Sequence, residues 1–220
     1  MSFEVRFTLT GEMPLLMHAD DVEAADTLDV WRKDPANKNV SKAGDDRSPA
    51  WTWMSYLYSD GTHVTVPSHN LMVNLRYAGT QIIMKKQKTF KETSQSGMLI
   101  PDEYLDFQVG NGRKIAMADI LAMKGKLFAE QATGAEALGF RLYVKRARVG
   151  QSKHVRVRPR FDTWSVSGRV IVTAPELTFE VLKQMFEIGG RGGMCDWRPN
   201  CKTPGPYGMY SAEVKKNGKG

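Results

Sequence analysis

The first ten residues alternate. Phe3, Val5, Phe7 and Leu9 fall on one side and Glu4, Arg6, Thr8 and Thr10 on the other, the period of a half-buried strand with one solvated face. Gly11 and Pro14 end it. Residues 20–63 then lose the period and become polar and acidic. The aromatic group Trp51, Trp53, Tyr56 and Tyr58 is expected to pin part of this long loop to the core.

Pro67-Ser68 predicts the start of a helix, with Ser68 as its cap. Leu71, Met72, Leu75 and Ala78 share one side, and Gly79 marks a stop. Gln81 to Pro101 is weakly patterned and lysine-rich, and reads as a basic loop or hairpin. Residues 115–138 read as helical, broken at Gly125 and Gly134.

Residues 140–149 read as a strand, followed by a turn region at Gly150-Gln-Ser-Lys153. A longer strand from about His154 to Thr173 comes next. Pro175 then suits a helix start. That helix buries Leu177, Val181, Leu182, Met185 and Phe186 and stops at Gly189-Gly190. A last strand runs from about Tyr207 to Val214, before the polar tail 215–220. The order is strand, helix, two antiparallel strands, helix, strand. It predicts an α+β protein with a ferredoxin-like or RRM-like βαββαβ core. The 220 residues read as one domain, 1–220, with insertions at 11–66 and 80–139.

Charge changes the picture more than composition does. The chain has 31 Lys+Arg against 24 Asp+Glu, a formal net charge of +7. Seven basic residues and no acid lie between Lys145 and Arg160, and four lysines and no acid between Lys85 and Lys91. Asp20 to Asp46 instead holds eight acids against four bases. Two uncompensated basic runs point to a polyanion, foremost a nucleic acid. In the second run a period of two puts Arg156, Arg158 and Arg160 on one face, roughly 7 Å apart. That is close to the spacing of successive phosphates in an extended strand, with Arg146, Arg148, Lys153 and His154 nearby. Lys85, Lys86, Lys88 and Lys91 read as a flexible clamp.

The segment 188–210 is rich in glycine and proline and interleaves Arg191, Trp197, Arg198 and Lys202. These are the parts of an anion cradle with a stacking ring. Neither a Walker loop nor a dinucleotide fingerprint is present, and a tight structural crossover explains the glycines equally well. Trp164 and Phe161 on the long strand are further stacking candidates, and Tyr207 a weaker one. Cys195 and Cys201 lie six apart with no neighbouring histidine, which favours free thiols over zinc. No cofactor is called for. No apolar run reaches the ~20 residues of a membrane helix. The start MSFEVRFTLT lacks a signal-peptide pattern, so a cytoplasmic protein with no membrane partner is expected.

Three blocks carry a family likeness. The first is the opening strand running into Met13-Pro-Leu-Leu16. The second is Val66-Pro67-Ser68 leading to Leu75-Arg76. The third is Ile188-Gly-Gly-Arg-Gly-Gly-Met-Cys-Asp-Trp-Arg-Pro199 with Gly205-Pro-Tyr-Gly-Met-Tyr210. With Arg158-Pro-Arg-Phe161 and Trp164, the arrangement resembles the CRISPR-associated RAMP superfamily, especially the backbone-subunit branch that coats guide RNA. The resemblance implies sequence-independent contact with single-stranded RNA or DNA and assembly along it, without enzymatic activity. The chain is short for that branch and places Cys195 where a small residue such as glycine is expected. A free-standing relative, for example a single-strand-binding protein of a phage or other mobile element, fits as well. Some members cleave RNA from comparable loops. That makes His18 an alternative acid/base and Asp20 and Asp21 alternative metal-binding carboxylates. A third reading is a protein-interaction or inhibitory module that mimics such a subunit.

Overall fold

The computed structural model of the chain describes residues 2–40, 45–86, 88–149 and 152–217. Gly150 and Gln151 of the expected turn region and the tail beyond Asn217 lie outside the described residues, while Ser152 and Lys153, expected in that turn, already belong to a strand. The chain opens with β1 (Phe3–Gly11), β2 (Leu15–Leu16), α1 (Val22–Lys33) and β3 (Val66–Pro67). There follow α2 (Ser68–Gln81), β4 (Ile83–Lys85), β5 (Lys88–Thr89), α3 (Lys91–Ser96), β6 (Met98–Leu99) and β7 (Tyr104–Val109). Next come α4 (Met117–Leu121), α5 (Phe128–Leu138), β8 (Arg141–Val149) and β9 (Ser152–Phe161), then β10 (Trp164–Val172), α6 (Phe179–Gly192) and β11 (Tyr210–Lys216). The protein is α+β with antiparallel sheets. No described helix is long and apolar enough to cross a membrane.

The chain folds as two units. The first comprises residues 1–15, 65–113 and 163–220, and the second residues 16–64 and 114–162. In the first, the strands run β11-β1-β10-β7-β3 with antiparallel neighbours, and β6 also pairs with β10. The alternation of β1 sends Val5, Phe7 and Leu9 inward, where Phe7 meets Phe186 of α6 at 5.3 Å between ring centroids. α2 contributes Leu71, Met72, Leu75 and Ala78 to the same core, and α6 adds Leu182 and Met185. Burial of these side chains supplies the main driving force, about 1.5–3 kcal/mol for each large one. The opposite sheet face carries Arg6, Thr8 and Thr10 of β1, Arg169 of β10 and the exposed Tyr104 at the start of β7.

The second unit is built around the β8–β9 hairpin in the sheet β2-β9-β8. Phe140 and Phe161 stack at 5.2 Å, and Trp53 packs against Phe140 while its indole N–H donates to Gln131 Oε1 at 2.6 Å. Trp53 therefore does anchor the 20–63 segment, as its aromatic cluster predicts.

Several boundaries differ from expectation, each for a local reason. The strand flanking β10 is Tyr104–Val109, inside the expected 80–139 insertion, and not 140–149, which forms β8 in the other unit. The excursion from the first unit accordingly spans 16–64 and 114–162. The strand expected from His154 to Thr173 is two strands in different sheets. Inward positions are odd-numbered up to Phe161 and even-numbered from Trp164, a phase change one continuous strand cannot make. Within 20–63 lies α1, capped by the Asp21 carboxylate accepting from Ala24 N at 3.0 Å. α2 begins at Ser68 with Pro67 in the cap position, and it runs through Gly79, a glycine set by packing and not by a stop, since a Cβ there would press on Ser94 Oγ at 2.8 Å. Gly125 does fall in a helix break, whereas Gly134 sits inside α5 against Met123.

Glycines at the end of α6 answer to packing. A Cβ on Gly190 would collide with the carbonyl oxygen of Tyr210, so α6 continues past Gly189-Gly190 to Gly192 while lying tight on β11. Buried Asn74 of α2 ties this corner together. Its Nδ2 donates to Gly189 O at 2.9 Å and Gly193 O at 2.7 Å, and its Oδ1 accepts from Tyr210 O–H at 2.6 Å. Burial also raises the Tyr210 phenol far above its ordinary range, so it remains a donor. Replacing Asn74 with Ala strands the Gly193 carbonyl and the Tyr210 hydroxyl in the interior and leaves Gly189 O with only the Gly193 N–H. Urea unfolding of Asn74→Ala should show a loss of about 3 kcal/mol, and a loss below about 0.5 kcal/mol would contradict this role.

Candidate nucleic-acid interface

β9 places Arg156, Arg158 and Arg160 on one face, opposite Lys145, Tyr143 and Arg141 of β8 in cross-strand register. The face is as expected, but the partners are internal. Asp46, whose side chain is 2% exposed, accepts from Arg156 Nη1 at 3.1 Å and Arg158 Nη1 at 3.0 Å. It also accepts from Val157 N and Tyr56 O–H, each at 2.9 Å. Its own backbone N–H donates to Val155 O at 2.9 Å, which splices the residue 45–47 segment onto β9. Arg160 pairs with Asp162 at 2.7 Å, and Asp162 also takes Arg141.

The reading of Arg156, Arg158 and Arg160 as a ribbon tracking phosphates is therefore corrected. A carboxylate with four donors is satisfied, and a guanidinium only 12% exposed at Arg158 is held by it and not presented to solvent. Arg158 further lies over the Tyr56 ring at 4.1 Å. Burial, and next the Asp46 charge, raise the Tyr56 phenol above its ordinary value, so it stays a hydrogen-bond donor at neutral pH. Sequence reasoning misses Asp46 and Tyr56. Asp46 stands 110 residues from Arg156 in an acidic stretch that reads as solvated, and no local spacing announces the pair.

Other basic residues do face outward. On the β8–β9 hairpin, Arg146 and Lys153 are exposed and His154 is half-buried. Arg148 stands opposite Lys153 in the backbone register, and its side chain lies outside the described residues. In the first unit, Lys85, Lys86 and Lys88 are exposed on the β4–β5 hairpin and Lys91 is exposed at the start of α3. The hairpin turns through Lys86 at φ 55°, with Ile83 71% exposed beside it. Among the described residues none of Lys85, Lys86, Lys88, Arg146 and Lys153 is in an ion pair.

The glycine-rich segment is mostly a structural crossover. Trp197 packs on Tyr207 at 5.3 Å and on Gly205, where a Cβ would collide with its ring. Arg198 Nη1 donates to Cys195 O at 2.7 Å within the loop. Trp197 and Arg198 are thus engaged in holding the crossover and not set out as a stacking ring and anion fork, whereas Arg191 is exposed. Trp164 and Phe161 are also removed as base-stacking candidates. Phe161 is fully buried, and Trp164 is buried with its indole N–H donating to Met13 O at 2.9 Å. Burial pushes the Cys195 thiol up to about 12, so it stays protonated at neutral pH.

His18, Asp20 and Asp21 line a cleft of about 320 Å³ in the second unit together with Trp51 and Tyr56. His18 stands edge-on to Tyr56 at 4.8 Å, with its ring nitrogens 3.4 and 3.5 Å from Arg158 Nη2. Asp21 is occupied as the α1 cap and Asp20 is exposed. Among the described residues no three His, Cys, Asp or Glu side chains gather as a metal site.

Removing the shared carboxylate tests its structural role. Asp46→Ala leaves two guanidinium groups, a backbone N–H and a phenol without their acceptor. It should cost about 3–5 kcal/mol in urea unfolding, and a cost under about 0.5 kcal/mol would place Arg156 and Arg158 among freely available cations. No protein-family model matches the chain, nor does any curated protein sequence.

Proposed function

We propose that the protein binds single-stranded nucleic acid, RNA or DNA, without reading its sequence and without enzymatic activity. The observation that carries this reading is a pair of outward-facing basic hairpins, Lys85, Lys86 and Lys88 on β4–β5 and Arg146 and Lys153 on β8–β9. None of these cations has a carboxylate partner among the described residues. Cations with no internal acid exchange counterions with solvent and are the ones that gain from meeting phosphates. Lys91 at the start of α3 and His154 on β9 extend these two surfaces, and exposed Arg191 at the end of α6 is a further cation in this reading.

The strand order β11-β1-β10-β7 supports a ferredoxin-like core. Its crossovers are α2 between β1 and β7 and α6 between β10 and β11, the split βαβ arrangement. With the blocks at 13–16, 66–76 and 188–210, that order supports kinship with RAMP-type strand-coating subunits or a free-standing relative of them. Assembly along the strand fits the outer side of α1, where Glu23, Asp26 and Asp29 stand with exposed Val22 and Val30. Such a surface complements the basic, apolar β4–β5 hairpin of a second copy.

The His18–Arg158–Tyr56 cluster favours one other reading, RNA cleavage with His18 as acid/base and Arg158 near the scissile phosphate. A single experiment separates the two. Labelled RNA and DNA strands are titrated across a salt series and then examined for length, with and without divalent metal. Intact strands and a log–log salt slope of about −0.7 per phosphate contacted are expected. Reversing Lys85, Lys86 and Lys88 to Glu should weaken binding by about tenfold or more. No binding at low salt, or binding indifferent to both hairpins, removes the proposal. Cleavage lost in His18→Ala replaces it with the nuclease.

A further inference from the structure

Two helices of the first unit, α2 and α6, end at the same place. Gln81 closes α2 and Gly192 closes α6, and between them lies a pocket of about 470 Å³ whose other walls include Tyr77, Arg191 and Asn200. Its volume falls within the range of small-ligand sites. The Tyr77 ring is half-buried along one wall and stays accessible because residue 192 is glycine. A Cβ at Gly192 would come to 3.4 Å from Tyr77 Cε1 and 3.6 Å from Asn200 Cβ, so any longer side chain would grow into the space.

Helix C-termini carry partial negative charge; at α6 the terminal carbonyls already have donors, Gly192 O from Asn200 N and Gly189 O from Gly193 N and Asn74 Nδ2, so the helix end acts through its dipole. A pocket where two of them converge favours a ligand that donates hydrogen bonds. The Gln81 side-chain nitrogen already donates to Thr80 Oγ1 at 2.8 Å, which leaves its Oε1 as an acceptor for an incoming group. Arg191, exposed in the last turn of α6, supplies a cation for an anion at the rim.

We propose that this pocket is a nucleotide subsite. A base bearing an exocyclic amino group lies on Tyr77 and donates to Gln81 Oε1, while its phosphate meets Arg191. The inference rests on the strand-binding reading and adds to it a modest preference for adenine over thymine or uracil, which lack that amino group. The occupant is one unstacked nucleotide of a bound strand, and a free mononucleotide offers the same chemistry.

The test measures fluorescence anisotropy of labelled adenine and thymine homopolymers on the whole protein, with adenosine monophosphate alone followed by thermal shift. The adenine strand should bind about fivefold more tightly. Tyr77→Ala and Gly192→Leu should each abolish that preference and leave thymine binding in place, while Tyr77→Phe retains it. If Gly192→Leu fails to fold, the Tyr77 pair carries the result. Stabilisation by the mononucleotide that disappears in Tyr77→Ala assigns the pocket to free nucleotides even where no strand binds, in which case the hairpin reading fails and the subsite stands. If strand binding depends on the lysine hairpin but is equal for both homopolymers and indifferent to Tyr77, the subsite is overturned and the hairpin reading stands. Neither strand nor mononucleotide binding overturns both.

Discussion

One buried carboxylate sets the electrostatics of the second unit. Asp46 collects Arg156, Arg158, the Val157 amide and the Tyr56 hydroxyl within about a hydrogen bond's length of its two oxygens. Charges taken out of water need such company, because an unpaired one costs several kcal/mol. The consequence reaches along β9. Its most densely charged stretch is turned to internal use, and the exposed cations Arg146 and Lys153 stand nearer the hairpin tip. Two positive groups around one negative group also leave a local surplus beside His18, which is the feature that gives the nuclease alternative its physical basis.

The first unit solves a different problem, the close approach of a helix end to a strand. Gly189 and Gly190 let α6 lie against β11, and the Asn74 amide replaces water for the carbonyls exposed at that helix end. At Gly192 a Cβ would make only ordinary contacts, and its absence leaves Tyr77 accessible.

Much of the first unit is readable from pattern. β1, the later half of β10, the helix after Pro175 and the final strand follow directly from period two and period 3.6. What misleads is continuity across Asp162-Thr163. The switch of apolar parity between Phe161 and Trp164 is present in the residues, and followed strictly it separates β9 from β10. β7 escapes notice because Leu105, Phe107 and Val109 form too short an alternation to stand out inside a weakly patterned stretch. The site is legible in part. Alternation correctly puts Arg156, Arg158 and Arg160 on one face, and run composition picks out the lysine hairpin. Nothing local can supply Asp46 as their partner, since pairing over 110 residues is a property of the tertiary fold. The glycine loop admits two explanations from sequence, and for Trp197 and Arg198 packing is the one that holds.

The central claim is that outward hairpin cations, and not the arginine stripe of β9, meet the polyanion. Photo-crosslinking to a single strand carrying a photoreactive base, followed by peptide mapping, examines that claim most directly. Adducts should fall within residues 83–91 and around Arg146 and Lys153, and be absent from 156–160. Adducts concentrated on Arg156, Arg158 and Arg160, or none anywhere on the chain, would contradict it.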